Sequence, residues 1–200
     1  MNRKLNQLKV WEAAALCALC LSLCIGTWAQ ARQQSISASL VRLHVIAVSD
    51  DEAEQALKLR VRDAVLEYLS PKLQGVETAQ QARGIISAEL EGIGAAAAAV
   101  SEGRTVTVSL GEENYPTREY AAFTLPAGRY ESLRVTLGEG KGHNWWCVVF
   151  PPVCLSAAES EEVRQVMSEE DYAIITGEED YQLRFRLIEL WGELMSRIDK

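Results

Sequence analysis

Leu40-Val41-Arg42-Leu43-His44-Val45-Ile46-Ala47-Val48 is the stretch on which the fold turns. Leu40, Arg42, His44, Ile46 and Val48 fall on one face of an extended chain, and Val41, Leu43, Val45 and Ala47 fall on the other. Both faces are largely apolar, which predicts a strand interior to a sheet and covered on both sides. Ser49-Asp50-Asp51-Glu52 follows, with Ser and Glu at capping-box spacing, and predicts the start of a helix. Leu57, Val61, Ala64, Val65, Tyr68 and Leu69 continue it at core-facing intervals until Ser70-Pro71 is expected to end it.

A second capping pattern, Thr78 with Gln81, opens a helix carrying Ile85, Ile86, Leu90, Ile93 and Ala97 at three- and four-residue steps. The period then changes. Thr105 to Leu110 alternates polar and apolar, an extended stretch surrounds Tyr120 to Leu125, and Pro126-Ala127-Gly128 supplies a turn. Leu133, Val135 and Leu137 alternate with polar neighbours, and Trp145 to Phe150 is a continuous apolar run closed by Pro151-Pro152, read as a central strand. The expected class is α+β: a single domain over 40–155 with an N-terminal strand and two helices, followed by an antiparallel strand meander.

The flanks differ from this domain. Residues 1–31 have the layout of an export signal: basic Arg3, Lys4 and Lys9, the apolar run Ala13 to Trp28, and the cleavage pattern Ala29-Gln30-Ala31. The pattern favours cleavage, with a mature chain from near Arg32. Left uncleaved, the same segment would anchor the chain in the membrane. Residues 156–180 hold nine acidic residues against Arg164 alone and read as a solvated acidic connector. Residues 181–200 form an amphipathic helix with Leu183, Leu187, Leu190, Trp191, Leu194 and Ile198 on one stripe, expected to dock on the domain.

Composition excludes some functions. Of 200 residues, 48% are apolar, enough for a substantial core, and the formal charge of −8 does not suit a nucleic-acid binder. With His44 and His143 the only histidines, a three-histidine metal site is impossible, and no cofactor is indicated. Gly138, Gly140 and Gly142 alternate as in a phosphate loop, yet a strand follows where a phosphate loop needs a helix N-terminus, so they read as a turn. Cys147 and Cys154 suit either a disulfide or two buried thiols. A thiol hydrolase built on Cys147 and His143 is a weaker reading, because a cysteine in a bulky apolar strand lacks the exposed, electropositive setting a nucleophile needs. No catalytic set is expected. His143, Asn144, Trp145 and Trp146 are the candidate partner-binding residues, since an exposed Trp beside a glycine loop resembles a binding hot spot; a cell-envelope binding module using either Trp is the competing class.

These residues also resemble a known family. Arg42 to Ala47 with Ser49-Asp50, Gln55 to Lys58, Val61 to Val65, Tyr115-Pro116, Leu125 to Gly128 with Tyr130, Leu133 to Val135 and above all Gly138 to Pro152 are similar to stage II sporulation protein R; the similarity resumes at Arg184 to Glu189. The resemblance implies a protein made in the forespore and exported into the space between the two membranes. There it would contact the outward-facing part of a membrane-bound aspartic protease that processes the precursor of sigma factor E. Val48 stands where a small polar residue is expected, and the acidic connector is particular to this chain.

Overall fold

The structure is a computed structural model and describes residues 2–152, 159–177 and 182–198. The elements run α1 (Asn2–Ala38), β1 (Val41–Ile46), α2 (Glu52–Leu73), α3 (Ala79–Ala88), α4 (Leu90–Val100), β2 (Val106–Tyr115), β3 (Arg118–Glu119), β4 (Thr124–Leu125), β5 (Gly128–Leu137), β6 (Asn144–Phe150), α5 (Glu159–Val166), α6 (Glu169–Thr176) and α7 (Gln182–Ile198). The α+β class holds. β1 is buried along its whole length and sits inside a four-stranded sheet of order β2-β5-β1-β6.

The sheet is mixed and not a plain meander. β1 enters between β5 and β6, parallel to β5 with Leu43 opposite Leu133, and antiparallel to β6 with His44 opposite Trp146. All six β1 residues are buried, which a position between two strands with cover on both faces provides. β6 consequently lies at the sheet edge, although the sequence reads as a central strand. Its apolar run is explained by cover from both layers, because Cys147 and Val149 belong to one core and Val148 to the other.

α2, α3 and α4 cover one face, where Val41, Leu43 and Val45 meet Leu57, Val61, Val65, Ile86 and Ile93. Three details differ from the expected helices. α2 is capped at Asp51, with no side-chain cap bond, and its Ser49 hydroxyl donates to the Asp51 carboxylate instead. α2 also runs through Pro71 to Leu73, and the core contacts of Leu69 and Leu73 hold that last turn. The expected helix from Thr78 breaks at Glu89 into α3 and α4, where the Glu89 carboxylate accepts from the Tyr68 hydroxyl at 2.6 Å and pairs with Lys72 at 3.1 Å. The Thr78 cap itself forms, accepting from the Gln81 amide.

The second face is covered by α1, α6, α7 and the β3–β4 hairpin around Ile36, Tyr115, Phe123, Leu125, Tyr130, Ile174 and Ile188. Part of the acidic stretch is folded into this layer and not solvated. Val163, Ala173, Ile174 and Ile175 are buried, and the buried Asp171 accepts from Ser35 at 2.6 Å and from its own cap residue Ser168 at 2.8 Å. The docked face of α7 is also displaced from the expected stripe. Ile188 is buried and Trp191 packs on the second core, whereas Leu190 and Leu194 are exposed. The α1 helix passes through Ala29-Gln30-Ala31 without a break.

Candidate functional site

The glycine segment is fastened to the junction of β1 and α2. Gly138 and Gly140 adopt φ of 55° and 62°, values that favour glycine. The Gly142 amide donates to Ala47 O at 2.9 Å, and a Cβ on Gly142 would stand 2.2 Å from Ser49 O, so the two backbones touch where only glycine fits. Asp50 accepts from the His143 amide at 2.6 Å and pairs with its imidazole at 2.5 Å. The buried Lys58 ammonium donates to His143 O at 3.0 Å and to Gln55 Oε1. Burial draws the Lys58 amine below its usual range, a pull that the nearby Asp50 opposes and Arg62 adds to.

Asn144 and His143 are exposed, while Trp145 and Trp146 are half-buried on opposite faces of β6. Trp145 packs against the first core with the Arg62 guanidinium 4.6 Å from its ring centroid. Trp146 stacks on His44 at 3.7 Å, meets Tyr115 edge-on at 4.6 Å, and has Arg118 at 5.6 Å. Neither indole is freely exposed: both are half-buried, each with an arginine over its ring.

A polar cluster missed in the sequence surrounds Trp146. His44 Nδ1 lies 3.2 Å from Glu113 Oε2 and Nε2 lies 2.9 Å from Asn144 Oδ1. Glu113 Oε2 also accepts from Ser132 Oγ at 2.5 Å, Arg134 pairs with Oε1 at 2.5 Å, and the Tyr115 and Ser132 hydroxyls are 2.7 Å apart. Burial raises the Glu113 carboxyl, but the bonds from His44 and Ser132 and the charges of His44 and Arg134 outweigh it and hold it below the usual carboxylate range. Beneath, the buried Arg42 guanidinium donates to Tyr120 OH at 2.6 Å and lies 3.9 Å from the Tyr115 centroid and 4.9 Å from that of Tyr130. Burial pushes both of those phenols well up, which keeps them neutral. The signal for Glu113 and Tyr115 was the odd-numbered row of β2, which continues five residues past Leu110.

The order of groups in this cluster decides its chemistry. In a nucleophilic triad the histidine lies between hydroxyl and acid, whereas here Glu113 lies between Ser132 and His44. Both His44 nitrogens face oxygens already, so neither is free to activate Ser132. Cys147 is 6% exposed on the first core and is disulfide-bonded, so its sulfur is no thiolate nucleophile. Its expected partner, Cys154, lies outside the described residues. Pro126 accepts from the buried Tyr130 hydroxyl at 2.7 Å, and Gly128 opens β5 at the expected turn. Among the described residues no group of three or more His, Cys, Asp or Glu side chains is placed to hold a metal ion.

Fold and site together define a mixed α+β domain behind a long apolar N-terminal helix, with its polar residues engaged in pinning loops and strands to one another. A model of the stage II sporulation protein R family matches residues 37–160, and the chain belongs to that family. It is similar to stage II sporulation protein R of Bacillus subtilis (strain 168), with 35% identity over 130 residues. That alignment covers 62% of this chain and 58% of the relative, so it spans less than two-thirds of the relative's length. No solved structure matches the chain.

Proposed function

We propose that this protein is an exported signal of sporulation that works by contact and not by catalysis. Its N-terminal segment takes the domain across the forespore membrane, and the domain then engages the outward-facing part of a membrane-bound aspartic protease. Engagement switches on processing of the precursor of sigma factor E. Membership of the stage II sporulation protein R family, over the residues that build the sheet and the first core, is the observation that carries this reading. The apolar helix near the N-terminus and the mutual engagement of His44, Glu113 and Ser132 support it.

We assign the contact surface to the exposed His143 and Asn144 with the rims of Trp145 and Trp146, where Arg118 adds positive charge. Trp and Arg are among the residues enriched in binding hot spots. Co-purification of the detergent-solubilised protease with the tagged full chain tests the contact. Retention of the protease that drops at least tenfold in Asn144→Ala or Arg118→Ala supports this surface, and undiminished retention in both variants contradicts it.

A further inference from the structure

We infer that the N-terminal helix is retained as a membrane anchor, and that the cleavage pattern Ala29-Gln30-Ala31 is folded into the domain instead of being cut. The inference is independent of the signalling reading, since an anchored domain can signal or fail to signal.

α1 has two halves with different surroundings. From Lys9 to Ile25 every residue is exposed. From Gly26 onward a buried stripe begins: Gly26, Ala29, Gln33 and Ile36, at steps of three and four, the spacing of one helix face. This stripe crosses the cleavage pattern without interruption. Ala29 is 1% exposed in the second core, and Gln30 Oε1 accepts from the Trp191 indole at 2.7 Å. A Cβ on Gly26 would stand 2.7 Å from the Trp191 ring, so α7 closes against α1 upstream of the cut. Downstream, Arg32 pairs with Glu170 at 2.5 Å and Gln33 donates to Arg129 O at 3.2 Å. Proteases act on accessible, extended segments, and a helix held on one side by a core and on another by Trp191 is neither.

The exposed half fits a bilayer. Val10, Trp11, Leu16, Leu19, Leu21, Leu23 and Ile25 are 45% to 75% exposed and point all round the helix, so no single docked partner face is formed. Apart from Glu12 near its start this half is apolar on every side, and such a helix requires an apolar surrounding. The exposed run after Lys9, Val10 to Ile25, is 16 residues, about 24 Å along the axis. Trp11 lies near its N-terminal end as interfacial aromatics do, and the slight shortfall against a hydrocarbon layer of about 30 Å is accommodated by local thinning. Arg3, Lys4 and Lys9 precede it on the side the chain comes from, as the positive-inside rule requires.

The test expresses the full chain in an exporting bacterial host, washes the membranes with alkaline carbonate, extracts them in detergent and measures the intact mass. The anchored state gives the uncut chain of 22.1 kDa in the detergent extract. Cys17, Cys20 and Cys24, which are free thiols, should resist a membrane-impermeant maleimide in washed membranes and gain three labels once detergent is added. Soluble protein beginning near Arg32 would overturn the inference, as would labelling of those thiols in intact membranes. Retained anchorage with no signalling would count against the proposed function alone.

Discussion

The His44 imidazole lies flat on the Trp146 indole, with centroids 3.7 Å apart and planes 19° from parallel. The pair joins the central strand β1 to the edge strand β6 on the face that carries Glu113. Trp146→Ala removes this stack and the edge contact with Tyr115, and should cost about 2–3 kcal/mol, the lower range for a half-buried Trp. Trp146→Phe keeps a ring on His44 and should cost about 1 kcal/mol. Urea unfolding of both variants checks the order, and equal losses would show that stacking is not what holds β6.

Gly142 and Gly111 offer a paired comparison. A Cβ at Gly142 meets the Ser49 carbonyl at 2.2 Å, while one at Gly111 meets nothing within 4 Å. Gly142→Ala must push the loop off the start of α2 and should destabilise by about 3 kcal/mol. Gly111→Ala should fall within about 0.5 kcal/mol of wild type. Thermal melts of the two proteins give the answer, and a mild Gly142→Ala would mean that this loop yields easily.

The Glu113 carboxyl is held below its ordinary value of 4.5 in the folded chain. A depressed carboxyl contributes stability that is present above its unfolded value and is lost as the pH falls through the folded one. Wild type should therefore lose stability from about pH 4.5 downward. Glu113→Gln should be less stable at neutral pH and show a flatter acid limb. Melts across this acid range measure it; parallel wild-type and variant curves would place the acid sensitivity elsewhere.

Trp191 joins α7 to α1 through the Gly26 contact and the Gln30 bond. Trp191→Ala should cost about 2–3 kcal/mol and speed amide exchange in α7 and in residues 26–38, with α2 unchanged. Exchange that rises evenly over the whole domain would show that this layer does not open separately.

Much of the sheet was legible because β2 and β5 carry two-residue alternation and β1 and β6 are continuous, largely apolar runs. β1, β5 and β6 fall where Val45, Val135 and Val149 predict them. The order was not legible, since an apolar run at an edge reads like a central one and nothing local in β6 reports that β1 inserts beside it. Charge misled the reading of residues 156–180: Asp171 is buried because Arg32, Ser35 and Ser168 surround it, and two of those lie more than a hundred residues away. The candidate site was half visible. The glycine segment announced itself by composition, but its fastening by Asp50 and Lys58 and the Glu113 cluster depend on pairings across distant strands.

The central claim is that the exported chain switches on a membrane protease by contact. Its most direct measurement is co-expression of the full chain with the membrane aspartic protease and the sigma factor E precursor, following precursor cleavage on a blot. Cleavage should appear when the chain is present and exported, and should vanish when residues 1–31 are deleted and the domain stays inside. Precursor left intact with all three proteins confirmed present, or cleaved equally without export, would contradict it.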